Sequence, residues 1–350
     1  MGKGKGIPSF VAYPAVWAVI VMGLLVLIEG AASWALAVRS VAFREPVDLH
    51  TRYGSLRGWS SAPGKVVERA YGSGAAIRIN SLGFSGEEVT HDVPEGRVRV
   101  VCSGDSFTFG EGVGNGQDWC HRLSELNEDV EPVNMGQSGY GIDQAYLWYS
   151  RDGVPLNPDV HVFAFVSGDF HRMLTSVRYG VGKPVLRVAA NGLETRNVPV
   201  PRLRHTMGRA VDRADLRLVR LGSGFRHRLA SPRSTTPQVE IIRPLASLLF
   251  QHLRDINSRD EVATLFVYLP TQLDLDEDPP VRDMARALTD ELGVSFVDLT
   301  PLLRALPARQ AAQMFLPDGH YNMEWKATGG SRRSFPHAWR RPASGLPGVG

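Results

Sequence analysis

The chain has 350 residues, 43% of them apolar, and a net charge of +3. That length and apolar content allow a sizeable hydrophobic core and exclude a wholly disordered chain. The small positive excess gives no ground for a nucleic-acid partner.

Lys3 and Lys5 precede residues 7–28, which carry no formal charge. A helix of that length spans a bilayer, and the flanking lysines favour a cytoplasmic amino terminus with the bulk of the chain on the other side. Cleavage of a signal peptide is the competing expectation, because Ala35-Leu36-Ala37 has the small-x-small form of a cleavage site. Residues 1–38 are therefore expected to form a single-pass anchor contacting membrane lipids, with an extracytoplasmic domain beyond it. The alternative is a secreted chain. The two cysteines, Cys102 and Cys120, read as buried thiols, since a disulfide needs their elements to face each other closely.

Residues 39–94 are polar and glycine-containing, a lead-in that wraps the main domain, with a short strand at 77–79. The main domain, 95–325, opens with a strand around 98–102. A helix is expected over 117–126, where Trp119, Leu123 and Leu126 share one face. "VEPVNMGQSGYG" gives a second strand and a glycine-rich loop, and 160–166, "VHVFAFV", a third strand.

A basic insertion occupies about 172–238. Between 201 and 233 nine arginines face only Asp212 and Asp215. It reads either as a solvated helical excursion or as a surface for an anionic partner such as lipid headgroups or acidic glycans. Its sparse aromatics argue against single-stranded nucleic acid.

Ile241, Leu245, Leu248, Leu249 and Leu253 have helical spacing, and Pro244 places the helix start near itself. "VATLFVYLP" reads as a buried strand, 281–292 as a helix and "VSFVDL" as a last strand. Strands alternating with helices predict a mostly parallel sheet covered on both faces, its chemistry in loops at the strands' carboxyl ends. The tail, 326–350, is full of helix breakers and reads as irregular. Neither a metal-ligand spacing nor a phosphate-binding glycine loop is present.

The apolar run before "GDSFTFGEGV" stops at Gly104-Asp105-Ser106. Glycine, aspartate and serine commonly just end a strand. A serine there becomes a nucleophile only if a base takes its proton. His320 in "LPDGHYN" is a candidate base and Asp318 a candidate partner for its other nitrogen, while Asp169 and Asp298 are competitors. Backbone amides beside Ser106 and in the loop 136–141 are candidates to receive developing negative charge.

The blocks "GDSFTFGEGV", "NMGQSGYGIDQ" and "DGHYNMEW", in that order, resemble the SGNH/GDSL hydrolase family, and "RINSLGFSG" resembles a lead-in of its membrane-linked bacterial members. The resemblance implies a three-layer α/β/α flavodoxin-like sandwich with no metal and no cofactor. It implies Ser106 as nucleophile, His320 as base and then acid, and Asp318 as triad carboxylate. The Ser106 and Gly139 amides form the implied oxyanion hole, with Ser167 a possible substitute donor. Asp105, Asn134, Gly136 and Asp169 support the loops.

Two positions depart from the family. Gly168 in "VSGDFHRM" stands where an asparagine donor belongs, and Asp318 and His320 are one residue closer than usual, a spacing that Asn322 accompanies in shorter variants. The expected function is a serine esterase or O-acyltransferase acting on O-acetylated extracytoplasmic carbohydrate, or on another small ester. The alternatives are a lipid esterase and a catalytically impaired, membrane-tethered scaffold or glycan-binding protein.

Overall fold

The computed structural model describes residues 9–42, 50–72, 75–178, 181–190, 192–201 and 236–322. The chain divides into two units, Met1–Glu45 with Arg204–Arg233, and Pro46–Leu203 with Ser234–Gly350.

In the first unit, α1, Ser9–Ala42, is a continuous helix with Pro14 inside it. Val16, Trp17, Val19, Leu24 and Leu27 on it are exposed. Among the described residues no helix carries a run of described side chains long and apolar enough to cross a membrane.

The second unit begins with two small antiparallel ribbons from the lead-in. Strands β1, Thr51–Gly54, and β2, Gly58–Ser61, form one, while β3, Val66–Val67, and β4, Ile77–Arg78, form the other. The central sheet then takes β5, Val98–Gly104, β6, Val130–Gly136, and β7, Val160–Phe165. After two hairpins, built from β8 to β11 between Val177 and Arg196, it is completed by β12, Ala263–Tyr268, and β13, Ser295–Asp298. All five strands are parallel, in the order β13-β12-β7-β5-β6.

The chain therefore winds one way from β5 to β6 and the other way through β7, β12 and β13. This is the flavodoxin-like order, with its topological switch between β5 and β7. Alternate residues feed two cores. Val101, Phe163, Phe165, Phe266 and Tyr268 enter one with the helices 142–148, 236–259 and 280–292. Val100, Cys102, Val162, Ala164 and Val267 enter the other with Leu123, Leu303 and Tyr321. Burial on both faces explains why these strands are apolar runs rather than alternating ones.

Three expectations need correction. Over 117–126 only Leu123–Leu126 is helical. The Asp118 carboxylate accepts from the His121 amide at 3.1 Å and from Asn134 at 2.9 Å, which holds 118–122 as turns. The turn faces β5, and Cys102 and Cys120, Cα atoms 6.2 Å apart, form a disulfide rather than two thiols. The helix containing Pro244 does not start there; it runs from Thr236 to Arg259 straight through the proline. Only the bond to the carbonyl of Glu240 is forfeited, and Glu240 is exposed. The arginine-rich stretch 202–235 and the tail 326–350 lie outside the described residues.

Candidate active site

β5 ends at the switch point, and the next residue, Asp105, caps the single helical turn α2, Ser106–Phe109. Its Oδ1 accepts from the Phe107 amide at 2.9 Å. This cap projects Ser106 at the carboxyl end of the sheet. The glycine loop after β6 packs directly on that turn. A Cβ at Gly136 would lie 2.1 Å from the Phe109 nitrogen, so no other residue permits the approach. Asn134 secures the loop by donating to the Thr108 carbonyl at 2.8 Å and accepting from the Gly136 amide at 2.8 Å.

The third component arrives from the far end of the chain. Leu316 donates its amide to the His320 carbonyl at 2.7 Å, and the His320 amide donates to Asp318 Oδ1 at 3.1 Å, closing a tight turn. Gly112, where a Cβ would meet Leu316 Cδ1 at 2.1 Å, lets the loop after α2 seat against it. The His320 ring packs on Phe107, centroids 5.1 Å apart. In this position His320 Nε2 lies 2.9 Å from Ser106 Oγ.

Asp318 Oδ2 stands 3.2 Å from His320 Nδ1, yet out of line, so Nδ1 has no aligned hydrogen bond. Asp318 is also 57% exposed. Asp169 and Asp298 do not replace it. Asp298 pairs with Arg286 at 3.0 Å, and Asp169 accepts from the Val166 amide at 3.0 Å.

Asp105 and Asp169 instead meet at Arg172, which sequence reasoning missed. Its Nη1 donates to Asp105 Oδ2 and to the Tyr140 carbonyl, each at 2.9 Å, and also to Asp169 Oδ1. One guanidinium thus ties the nucleophile turn, the glycine loop and the helix 167–173. Burial and the Asp105 carboxylate push the Asp169 carboxyl well above its usual range, against the pull of Arg172. The only sequence signal was the spacing of Asp169 and Arg172, three apart on a helix.

The Ser106 and Gly139 amides have no acceptor among the described residues. Ser167 starts the helix 167–173, and its hydroxyl lies against the Tyr268 phenol; no described contact joins it to Ser106. Gly168 is open: a Cβ there would meet only Arg172 Nη2, at 3.5 Å, among polar atoms.

Glu111, quoted in the serine block but given no role from sequence, places Oε2 3.7 Å from His320 Nε2. Burial raises its carboxyl above the ordinary value, with His320 and Ser138 pulling the other way. Elsewhere, a cavity of about 660 Å³ lies among Arg52, Tyr53, Arg57, His91 and Arg151, and no catalytic candidate lines it. Among the described residues no cluster of metal-ligating side chains occurs.

The five-stranded parallel sheet in flavodoxin-like order, flanked by helices, is a three-layer α/β/α sandwich, and it carries at a strand end a serine in hydrogen-bond contact with an imidazole. In structure the chain is similar to lipolytic hydrolases of the G-D-S-L family. A member from Veillonella parvula DSM 2008 matches at 16% identity and a TM-score of 0.38, over 67% of this chain and 94% of that one. A lipase/acylhydrolase from Enterococcus faecalis matches at 14% and 0.38, over 67% and 91%. The acetyl xylan esterase AlAXEase matches at 13% and 0.40, over 67% and 96%. No protein-family model and no curated protein matches the sequence.

Proposed function

We propose that the protein is a serine-dependent ester hydrolase or O-acyltransferase that works through an acyl-enzyme on O-acetylated carbohydrate outside the cytoplasm. The observation that carries this reading is the 2.9 Å contact between Ser106 Oγ and His320 Nε2. A hydroxyl held against an imidazole at a strand end has the two parts that nucleophilic acyl transfer needs.

In the proposed reaction Ser106 Oγ bonds to the ester carbonyl carbon as its proton passes to His320 Nε2. The carbonyl oxygen becomes an oxyanion facing the Ser106 and Gly139 amides. The carbon–oxygen bond to the alcohol then breaks, and Nε2 returns the proton to the leaving oxygen. Water or an acceptor hydroxyl repeats the sequence in reverse, giving hydrolysis or transfer. Asp318 offsets the charge that forms on His320.

The location beyond a membrane is part of the same proposal. It is supported by the uncharged run 7–28 behind two lysines and by the Cys102–Cys120 disulfide, a bond that persists in oxidising compartments. Gly168, which brings no side-chain donor to the site, favours a second reading in which catalysis is impaired and binding retained.

The deciding experiment is active-site labelling and turnover. The full chain in detergent should react with a fluorophosphonate probe and release acetate from an aryl acetate. Ser106→Ala should abolish both while keeping the native melting profile. Equal turnover in a folded Ser106→Ala variant rejects the proposed nucleophile. Absence of labelling and turnover in the unaltered chain selects the impaired reading.

A further inference from the structure

Around Glu111 lie polar groups that the proposed triad chemistry does not use. Ser138 precedes Gly139 in the glycine loop, and its Oγ is buried without a hydrogen bond of good geometry. It approaches Glu111 closely enough to favour the charged carboxylate. Tyr71, from the lead-in, brings its phenol to the Gly112 amide, one residue on from Glu111 and close enough to feel its charge, and its Oη is likewise buried without a well-formed bond. Among the described residues the ionic neighbour of Glu111 is His320. A carboxyl that is 18% exposed, beside two unsatisfied hydroxyls, calls for an explanation, because buried polar groups are ordinarily paired.

The position of the cluster supplies one. Nε2 of His320 touches Ser106 Oγ at 2.9 Å and faces Glu111 Oε2 at 3.7 Å. The same nitrogen must hand its proton to the leaving oxygen, so that oxygen, and the one that later attacks, comes to rest beside Glu111. What Glu111 meets is therefore the alcohol half of the ester.

We infer that Glu111, with the Tyr71 and Ser138 hydroxyls, forms a subsite that binds a neighbouring hydroxyl of a polyol leaving group or acceptor. The inference rests on the Ser106–His320 reading and adds the residues that would select its substrates, esters of polyhydroxylated alcohols such as sugars, through their alcohol half. A sugar hydroxyl both donates and accepts, so it satisfies the carboxyl and a flanking hydroxyl together. A hydrocarbon alcohol leaves the Tyr71 and Ser138 hydroxyls without a well-formed bond and gives Glu111 no donor, and a site built for a hydroxyl discriminates strongly against its absence. The subsite joins three segments, the lead-in, the turn after α2 and the glycine loop, which gives the lead-in a part in recognition.

The test compares two esters of equal ring size, methyl 6-O-acetyl-glucopyranoside and cyclohexylmethyl acetate, using the full chain in detergent. The measured quantity is the ratio of their kcat/KM values. The unaltered protein is expected to favour the sugar ester by about tenfold or more, the scale of one hydrogen bond to a charged group. Glu111→Ala should reduce that ratio by about tenfold, and Tyr71→Phe or Ser138→Ala by about threefold. A ratio within twofold of the unaltered protein's in all folded variants overturns the inference, even if both activities fall together. Should Glu111→Ala fail to fold, Tyr71→Phe and Ser138→Ala decide, since each removes one oxygen. No preference for the sugar ester in the unaltered protein also overturns it. Failure of the underlying reading looks different: no fluorophosphonate labelling of Ser106 and no turnover of either ester.

Discussion

Arg172 Nη1 donates to Asp105 Oδ2 at 2.9 Å, joining the residue before the candidate nucleophile to a helix that starts two strands' width away in sequence order. The same nitrogen holds the Tyr140 carbonyl and Asp169. Both carboxylates are almost completely buried, and Arg172 is 16% exposed, so solvent does little to replace it. Removing one partner of such a cluster leaves charge unpaired, at a cost of about 3 kcal/mol. Arg172→Ala is therefore expected to lower stability by about that amount in urea unfolding. Arg172→Lys should recover part of the stability, because it restores charge without the planar fork. Unchanged midpoints in both variants would refute the hub assignment.

Gly168 offers a test by addition. Its Cβ would fall 3.5 Å from Arg172 Nη2, ordinary van der Waals contact, so Gly168→Asn should fold normally. If a missing side-chain donor limits transition-state stabilisation, the variant should raise kcat, up to about a hundredfold, with little change in KM. An unchanged kcat in the folded variant would show that the site is complete without that donor.

Asp318 is expected to matter less than its triad role suggests. It is more than half exposed, and its oxygen is out of line with His320 Nδ1. Solvent screens such a carboxylate. Asp318→Asn should lower kcat/KM by about 10–100-fold, well short of the roughly 10⁴-fold associated with a buried triad aspartate. A loss as large as that of His320→Ala would mean that the carboxylate aligns during the reaction.

The parts of the fold that could be read from sequence were those with both neighbours apolar. Val98–Gly104 and Val160–Phe165 are buried on two faces beyond their first residue, and Ala263–Tyr268 over its second half, so their composition alone marks them. The span 117–122 misled because its apolar spacing is helical while Asp118 closes a local turn with the His121 amide and is held by Asn134, a contact that exists only after folding. Pro244 misled in the opposite sense: Leu245, Leu249 and Leu253, all buried, outweigh one lost backbone bond. Ser106 stood out because a polar block follows the apolar strand Val98–Gly104, and His320 because its block, which follows the helix Ala308–Gln313, resembles a family motif. Arg172 and Glu111 did not: the partners that give them a role, Asp105, Tyr140 and His320, lie in other segments, and the local Asp169–Arg172 spacing alone looks like an ordinary helix ion pair.

His50 gives a pH dependence of stability. It is fully buried, stacked on Phe109 with ring centroids 4.7 Å apart. Burial lowers its pKa from the ordinary 6.5 to about 4. The unfolded chain therefore binds a proton below pH 6.5 that the folded chain refuses until about pH 4. Stability from this residue is complete above pH 6.5, falls as pH drops through the window from 6.5 to 4, and is level below it. The full swing is about 3 kcal/mol. Asp169 and Glu111, whose carboxyls are pushed up, act in the opposite direction in acid, so the difference between two proteins is the quantity to measure. His50→Phe keeps a ring against Phe109 and removes the titration. Urea unfolding at pH 7 and pH 4.5 should show the unaltered protein losing more stability than His50→Phe, by about 2–3 kcal/mol. Parallel losses would mean that His50 is protonated in the fold or open to solvent.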